Sequence, residues 1–323
     1  MGCLGGTVAE KLNKKRDPNI SKLQNIITLK QLLAPAQKAG FAIGAFSPRY
    51  TAMIRPVLRA AEHLQSPAIV QIAQVELRWY QLTLGDFAHA FWQQVEELQP
   101  TVPIGLHLDH TQDIELIKKS IALGFTSVMI DASHQPLEGN IATTQQVVAY
   151  AHGHGVSVEA ELGKIGTADF IESDTAEEMY TDPQEAALFV AQTGVDALAV
   201  SVGTAHGVYL VRQPKVDIER LSNIRALTDV ALVLHGGSGV PAEMVHHAIQ
   251  LPGGGVSKVN IATDLELGLL AALSRKERTT EAGLNQLSAA ELELGTEAVQ
   301  AVVEEKIVNF LGSDHKKGCY PLA

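Results

Sequence analysis

"PIGLHLDH" (residues 103–110) is an apolar run that carries one histidine and ends on an aspartate and a second histidine. It reads as a buried strand, with His107 inside it and Asp109 and His110 at its end. An unpaired buried charge costs several kcal/mol, so such a cluster needs a partner, a metal or a task. Runs of this kind recur on both sides: FAIGAFS (41–47), AIVQIA (68–73), SVMIDAS (127–133), SVEAELG (157–163), ALAVSVG (197–203), ALVLHGGSG (231–239) and SKVNIATD (257–264). Segments of helical spacing separate them. Ile54, Val57, Leu58 and Ala61 share one face, as do Ile114, Ile117 and Ile121, and then Ile218, Leu221 and Ile224.

Eight strands alternating with helices over this length predict an α/β fold, a (β/α)8 TIM barrel. A doubly wound open sheet is the competitor, but no G-x-G-x-x-G follows the first strand. The punctuation agrees. "TDPQE" places Asp182 as N-cap, Pro183 at the first helical position and Glu185 where a capping box needs it, and Gly124 and Gly194 close helices ahead of strands. Residues 288–311 read as one long terminal helix. The expected organisation is a mobile tail, residues 1–22, and a single barrel domain with a C-terminal helical extension, residues 23–323.

Composition narrows the partners. The 323 residues are 46% hydrophobic and 19% charged, enough for a large core. The formal net charge of −11 argues against nucleic acid or an anionic membrane, both of which need a basic surface. It does not argue against an anionic small molecule held by a few local donors. The two cysteines, Cys3 and Cys319, form no disulfide framework, and no apolar run approaches the ~18 residues of a membrane span. The opening residues lack the apolar region of a signal peptide, so the expected location is cytoplasmic.

In a barrel the active site lies at the C-terminal ends of the strands. The chemically capable residues collect there: Asp109 and His110 on the third, Glu159 and Glu161 on the fifth, His206 after the sixth, His235 after the seventh, and Asn260 and Thr263 on the eighth. Three histidines with Glu161 suit Zn²⁺, which takes neutral imidazole and carboxylate ligands and leaves a position open to substrate. "HGGSG" and "NIAT" occupy the place where barrels commonly hold phosphate, with glycine backbone N–H groups and the hydroxyls of Ser238 and Thr263 as donors. His63, His152, His154, His246 and His247 fall on helix faces or ends and are expected to be solvated.

The motifs HLDH, SVMIDASH, VSVEAELG, VGTAHGVY, LVLHGGSGVP and KVNIATDL resemble, in order and spacing, those of the class II zinc-dependent ketose-bisphosphate aldolases, on the side of the tagatose- and fructose-bisphosphate enzymes. The resemblance implies that His110, His206 and His235 hold the zinc, with Glu161 as an additional or alternative ligand. It makes Asp109 the acid/base at the C4 hydroxyl of the sugar. Asp169, on the loop after the fifth strand, becomes the second acid/base, where relatives usually carry glutamate. Gly207, Gly236, Gly237 and Ser238, with Asn260, Ile261, Ala262 and Thr263, would surround the dihydroxyacetone-phosphate half. A monovalent cation often assists near the same backbone, and homodimers or homotetramers are usual. The implied activity is reversible cleavage of a ketose (bis)phosphate, a small sugar phosphate, to dihydroxyacetone phosphate and an aldehyde such as glyceraldehyde 3-phosphate.

Departures fall on the other half of the site. "FSPRYT" stands after the first strand where relatives usually have asparagine, and "QIAQVELRW" after the second where many carry a small serine- or glycine-rich turn. Gly166-Thr167 replaces the usual double glycine. Arg49 and Arg78 in these stretches are expected at the rim, and one of them is a candidate holder of a distal anionic group. Two other readings stand beside the aldolase: a non-catalytic barrel subunit of an aldolase complex, which retention of all three histidines disfavours, and a metal-dependent sugar-phosphate epimerase.

Overall fold

The computed structural model describes residues 24–163, 180–205, 207 and 214–321; the expected tail (1–22), Asp169 and His206 lie outside the described residues. Helix α1 (Leu29–Ala39) comes first. The Thr28 hydroxyl accepts from the Gln31 N–H, the Gln31 side chain accepts from the Thr28 N–H, and Gly40 closes the helix at φ 71°. Eight strands follow: β1 (Ile43–Phe46), β2 (Ala68–Ala73), β3 (Ile104–Thr111), β4 (Ser127–Ile130), β5 (Ser157–Leu162), β6 (Ala197–Val200), β7 (Ala231–Leu234) and β8 (Val256–Ile261). All pair in parallel in chain order, and β8 closes on β1 from Ile43↔Lys258 to Phe46↔Ile261.

Helices fill the connections. After β1 comes α2 (Ile54–His63); after β2, α3 (Gln74–Trp79) and α4 (Leu84–Leu98); after β3, α5 (Ile114–Ala122). Then come α6 (Leu137–Gly153), α7 (Pro183–Thr193), α8 (Ile218–Leu227) and α9 (Ala242–Ile249), one after each of β4 to β7. Beyond β8 lie α10 (Thr263–Ala272), α11 (Glu281–Leu284) and α12 (Ala289–Glu305). This is the (β/α)8 barrel expected from the sequence. Among the described residues, no helix is long and apolar enough to cross a membrane.

The helix faces follow the periodicity: Ile54, Val57, Leu58 and Ala61 of α2 are all buried. Asp182 caps α7 by accepting from the N–H groups of Gln184 and Glu185, and Gly194 ends it at φ 69°. Among the described residues Glu185 returns no bond to the Asp182 N–H, so that cap is one-sided. The long terminal helix differs from expectation in its last turn. Residues Lys306–Leu311 widen into a π-helix, which buries Ile307, Phe310 and Leu311 together and lets the Leu311 carbonyl accept from Ala42 N at 3.2 Å. Several strands also stop earlier than their apolar runs. β7 ends at Leu234 and β4 at Ile130, so the Gly-, Asp- and His-bearing residues beyond them leave the sheet and turn over the mouth.

The barrel interior is layered. Its N-terminal end is apolar: Ile43, Ile69, Ala197 and Ala231, at the starts of their strands, belong to one cluster with Leu29, Leu32 and Leu33 of α1. Helix α1 closes this end, with Lys30 N donating to Ser157 Oγ at the start of β5 and Tyr320 Oη donating to Leu32 O at 2.8 Å. The middle layer is charged: His107, Glu159 and Lys258 are fully buried. The reactive groups lie above it.

Candidate metal centre and active site

Successive strand residues point to opposite faces, so Asp109 and His110 should not both face the mouth of a regular strand. They do so because β3 is irregular here. Its register against β4 passes from Leu108↔Val128 to Thr111↔Ile130, so one residue more is used on β3 than on β4, and His110 takes φ 36°. Both side chains thereby line one cavity of about 540 Å³, together with Gln71, Asp131, Gly207, Gly236 and Asn260 among others.

The His110 ring is held through Nδ1 by Asp131 Oδ2 at 3.1 Å, and lies 4.4 Å between centroids from the His235 ring. His235 Nε2 bonds Glu159 Oε1 at 2.9 Å, which turns Nδ1 toward Glu161 Oε2 at 3.3 Å. Glu161 Oε2 is also 3.9 Å from His110 Nδ1, is buried, and among the described residues faces only these two imidazole nitrogens. A buried carboxylate oxygen facing two imidazoles is a donor set suited to a cation. Ligand atoms of Asp109, His110 and His235 all lie within 4.8 Å of one another, as do those of His110, Asp131 and Glu161. The charge balance points the same way. Four carboxylates (Asp109, Asp131, Glu159 and Glu161) surround this layer, and Lys258 alone among the described lysines and arginines pairs with them, 2.8 Å from Glu159 Oε2.

Protonation reflects that excess. Burial alone would lower the His110 pKa, but Asp109, the hydrogen bond to Asp131 and the Glu161 charge raise it to about 10. Burial opposes ionisation of Glu159, yet Lys258, His235 and His107 hold it down at about 2. Asp109 is buried too, and His110, His107, Lys258 and His235 keep it well below the usual carboxylate range. His107 moves the other way: burial and Lys258 lower its pKa. Its Nδ1 pairs with Ser127 Oγ at 2.8 Å, so it is an internal strut beneath Asp109. A site that draws a proton so strongly onto His110 suits a divalent cation equally well.

Asp109 is ionised and aimed by amides. Asn260 Nδ2 donates to both carboxylate oxygens, at 3.2 and 3.1 Å, and Gln71 Nε2 donates to Oδ2 at 3.1 Å. Asn260 is oriented in turn by Lys258 Nζ, which donates to its Oδ1 at 2.8 Å. The carboxylate can therefore accept a proton from a substrate hydroxyl but has none of its own to give.

The glycine-rich side of the cavity contains Gly207, Gly236, Ser238, Ala262 and Thr263. Gly236 has φ 65°, and a Cβ there would stand 2.2 Å from Ala205 O, so no other residue fits. Thr263 opens α10, and Ser238 Oγ accepts from Asp264 N at 3.2 Å. A helix N-terminus beside glycines and two hydroxyls can hold a phosphate. Two of the expected residues sit differently. The Gly237 N–H already donates to Asn260 O at 3.1 Å, and the Ile261 side chain is buried in the core, its carbonyl accepting from Ser47 N.

Sequence reasoning passed over Gln71 and Lys258 as site residues. Both are polar side chains inside apolar strands, and Lys258 shares an inward face with Asn260 two positions on; that alternation was the available signal. The five histidines assigned to helix faces are exposed or, for His246, half-buried, as expected. Arg49 reaches the cavity but is buried. Its Nε donates to Glu76 Oε1 at 2.8 Å, and its Nη1 donates to Glu266.

A closed parallel barrel with a buried His/Asp/Glu cluster suited to a divalent cation and a glycine-rich rim at its C-terminal mouth has the layout of a barrel enzyme. Residues 27–316 match the family "Fructose-bisphosphate aldolase class-II", and the chain belongs to that family. Among solved structures, the YdjI aldolase of Escherichia coli K12 is similar at 30% identity and TM-score 0.76, over 90% of this chain and 99% of that one. A candidate fructose-1,6-bisphosphate aldolase of Coccidioides immitis is 33% identical at TM-score 0.76, over 89% of this chain and 96% of the other. The fructose-bisphosphate aldolase Fba of Campylobacter jejuni shares the fold at 24% identity and TM-score 0.69, over 90% of this chain and 97% of that one.

Proposed function

We propose that the protein is a Zn²⁺-dependent aldolase that reversibly cleaves a ketose (bis)phosphate into dihydroxyacetone phosphate and an aldehyde such as glyceraldehyde 3-phosphate. The observation that carries this reading is one cavity lined by an ionised, amide-held Asp109, by His110 of the metal cluster, and by the Gly236–Ser238–Thr263 rim. His110 and His235 would hold the ion with Glu161, and His206 completes the set by the family motif. A divalent cation there would polarise the substrate carbonyl and stabilise the negative charge left when the carbon–carbon bond breaks.

The chain's own groups do the rest. Asp109 takes the proton of the C4 hydroxyl, C4–O becomes a carbonyl as C3–C4 breaks, and the bonding pair passes to C3 and the C2 carbonyl as an enediolate. Asn260 and Gln71 keep the carboxylate in place through that transfer. Asp131 fixes the His110 ring and Glu159 the His235 ring, the usual way of orienting imidazole ligands. Asp169 is the proposed acid that returns a proton to C3. Gly207, Gly236, Ser238 and the α10 N-terminus would take the phosphate of the dihydroxyacetone half, with the Gly237, Asn260, Ile261 and Ala262 backbone around it. A monovalent cation at that backbone, a cytoplasmic location and a homodimeric or homotetrameric state belong to the same proposal.

The test is a retro-aldol screen over ketose mono- and bisphosphates before and after chelation. Chelation is expected to abolish turnover and added Zn²⁺ to restore it. His110→Ala and His235→Ala should each lose bound metal, by elemental analysis, together with activity. Full turnover in protein shown free of metal would overturn the assignment.

A further inference from the structure

Part of the cavity wall away from the glycine-rich residues in sequence is built from α3, a six-residue helix directly after β2. It is pinned at both flanks. Gln74 Oε1 accepts from the N–H groups of Gln112 and Asp113, at 2.9 and 3.2 Å, tying the helix to the loop that follows Asp109 and His110. Glu76 accepts from Ala73 N at 3.0 Å through one oxygen and from Arg49 Nε through the other. What the helix presents to the cavity is therefore fixed in place: Gln74, Val75, Arg78 and Trp79, with Glu76 beside them engaged by Ala73 N and Arg49.

Two arginines line this cavity, and their situations differ. Arg49 is buried between Glu76 and Glu266, so its charge is already neutralised, and these carboxylates push its pKa above the ordinary value despite the opposing effect of burial. Arg278 stacks 4.8 Å over the Trp79 ring and pairs with Glu266 at 3.5 Å. Arg78 is exposed and has no carboxylate partner among the described residues. A guanidinium without a partner, on a fixed wall of the substrate cavity, is a receptor for an anion.

We propose that Arg78 determines specificity for the aldehyde half by binding an anionic group, phosphate or carboxylate, at its far end. This rests on the aldolase reading above. The glycine-rich rim serves the dihydroxyacetone-phosphate half, so an anion at the α3 wall belongs to the other product. Arg49 is excluded from that part because a bound anion would compete with two buried carboxylates already holding its donors.

The experiment condenses dihydroxyacetone phosphate with three aldehydes: glyceraldehyde 3-phosphate, succinic semialdehyde and uncharged glyceraldehyde. The readout is the ratio of kcat/KM for each anionic aldehyde to that for glyceraldehyde, in the wild type, Arg78→Ala and Arg78→Lys. The ratio is expected to fall about 10- to 100-fold in Arg78→Ala, as for loss of one charged hydrogen bond, and to recover in part in Arg78→Lys. Whichever anionic aldehyde shows the larger fall identifies the natural group. A ratio within twofold of wild type for both anions, in an active enzyme, overturns the inference alone. A wild type that condenses none of the three overturns the aldolase reading and this inference with it.

Discussion

His110 owes its position to one extra backbone residue. Without the bulge between Leu108 and Thr111, strand alternation would turn either His110 or Asp109 away from the mouth. Asp109 belongs to a metal-capable triad and is also held by two amides, as the proposed base would be, and an experiment separates the two roles. Asp109→Asn should lower kcat for cleavage by about 10²- to 10⁴-fold, as for a lost general base, while bound metal stays at its wild-type stoichiometry. Exchange of a dihydroxyacetone-phosphate proton with solvent should persist in that variant and slow in Asp169→Ala. Loss of metal from Asp109→Asn would make the aspartate a ligand and not the base. At this scale the sequence showed which residues sit at strand ends, because ionisable groups closing apolar runs stand out. The bulge did not show, since a one-residue register shift has no composition of its own. Lys258 and Gln71 were equally hidden, because a single polar residue in an apolar strand looks like a break in the pattern until its partners are seen.

The α3 helix is the element on which sequence and structure differ most. Six residues are too few for a helical period to emerge, so in the sequence "QVELRW" shows only as a departure from the small turn usual after the second strand. Its meaning comes from Tyr80 at its C-cap and from side chains distant in sequence: Arg49, Glu266 and Arg278. Tyr80 Oη donates to Glu266 Oε1 at 2.7 Å, and the Tyr50 and Tyr80 rings pack edge to face at 4.9 Å. Burial, with the Glu266 charge added to it, raises the pKa of both tyrosines, so they act here as neutral donors. Arg49→Gln would leave Glu76 and Glu266 buried with one counter-charge fewer. The expected loss is about 3–5 kcal/mol of unfolding free energy, read from denaturant midpoints at constant m. Because the helix would loosen as a whole, kcat/KM should fall alike for anionic and neutral aldehydes. A selective loss on the anionic ones would instead return Arg49 to the list of anion ligands.

Over the whole molecule the barrel separates stability from chemistry along its axis. Eight β-branched or alanine-rich runs at regular spacing made the closed sheet legible, whereas the plug at its N-terminal mouth was not. Helix α1 lies outside the strand–helix repeat, and its partners come from β1, β3, β5, β7 and β8 at once. The fit is close because the strands there carry small residues: a Cβ on Gly105 would stand 2.7 Å from Leu32 Cδ1. Leu32 is fully buried, and the Tyr320 hydroxyl bonds its carbonyl from the far end of the chain. Leu32→Ala should therefore open a cavity in a packed interior and lower stability by about 2–5 kcal/mol. The layer of His107, Glu159 and Lys258 stands between this plug and the metal-capable cluster. Metal content and kcat/KM, measured well below the melting transition, should consequently match wild type. A fall in metal affinity parallel to the fall in Tm would mean that the charged middle layer transmits packing changes from the plug to the site, and the two ends of the barrel would then have to be treated as one cooperative unit.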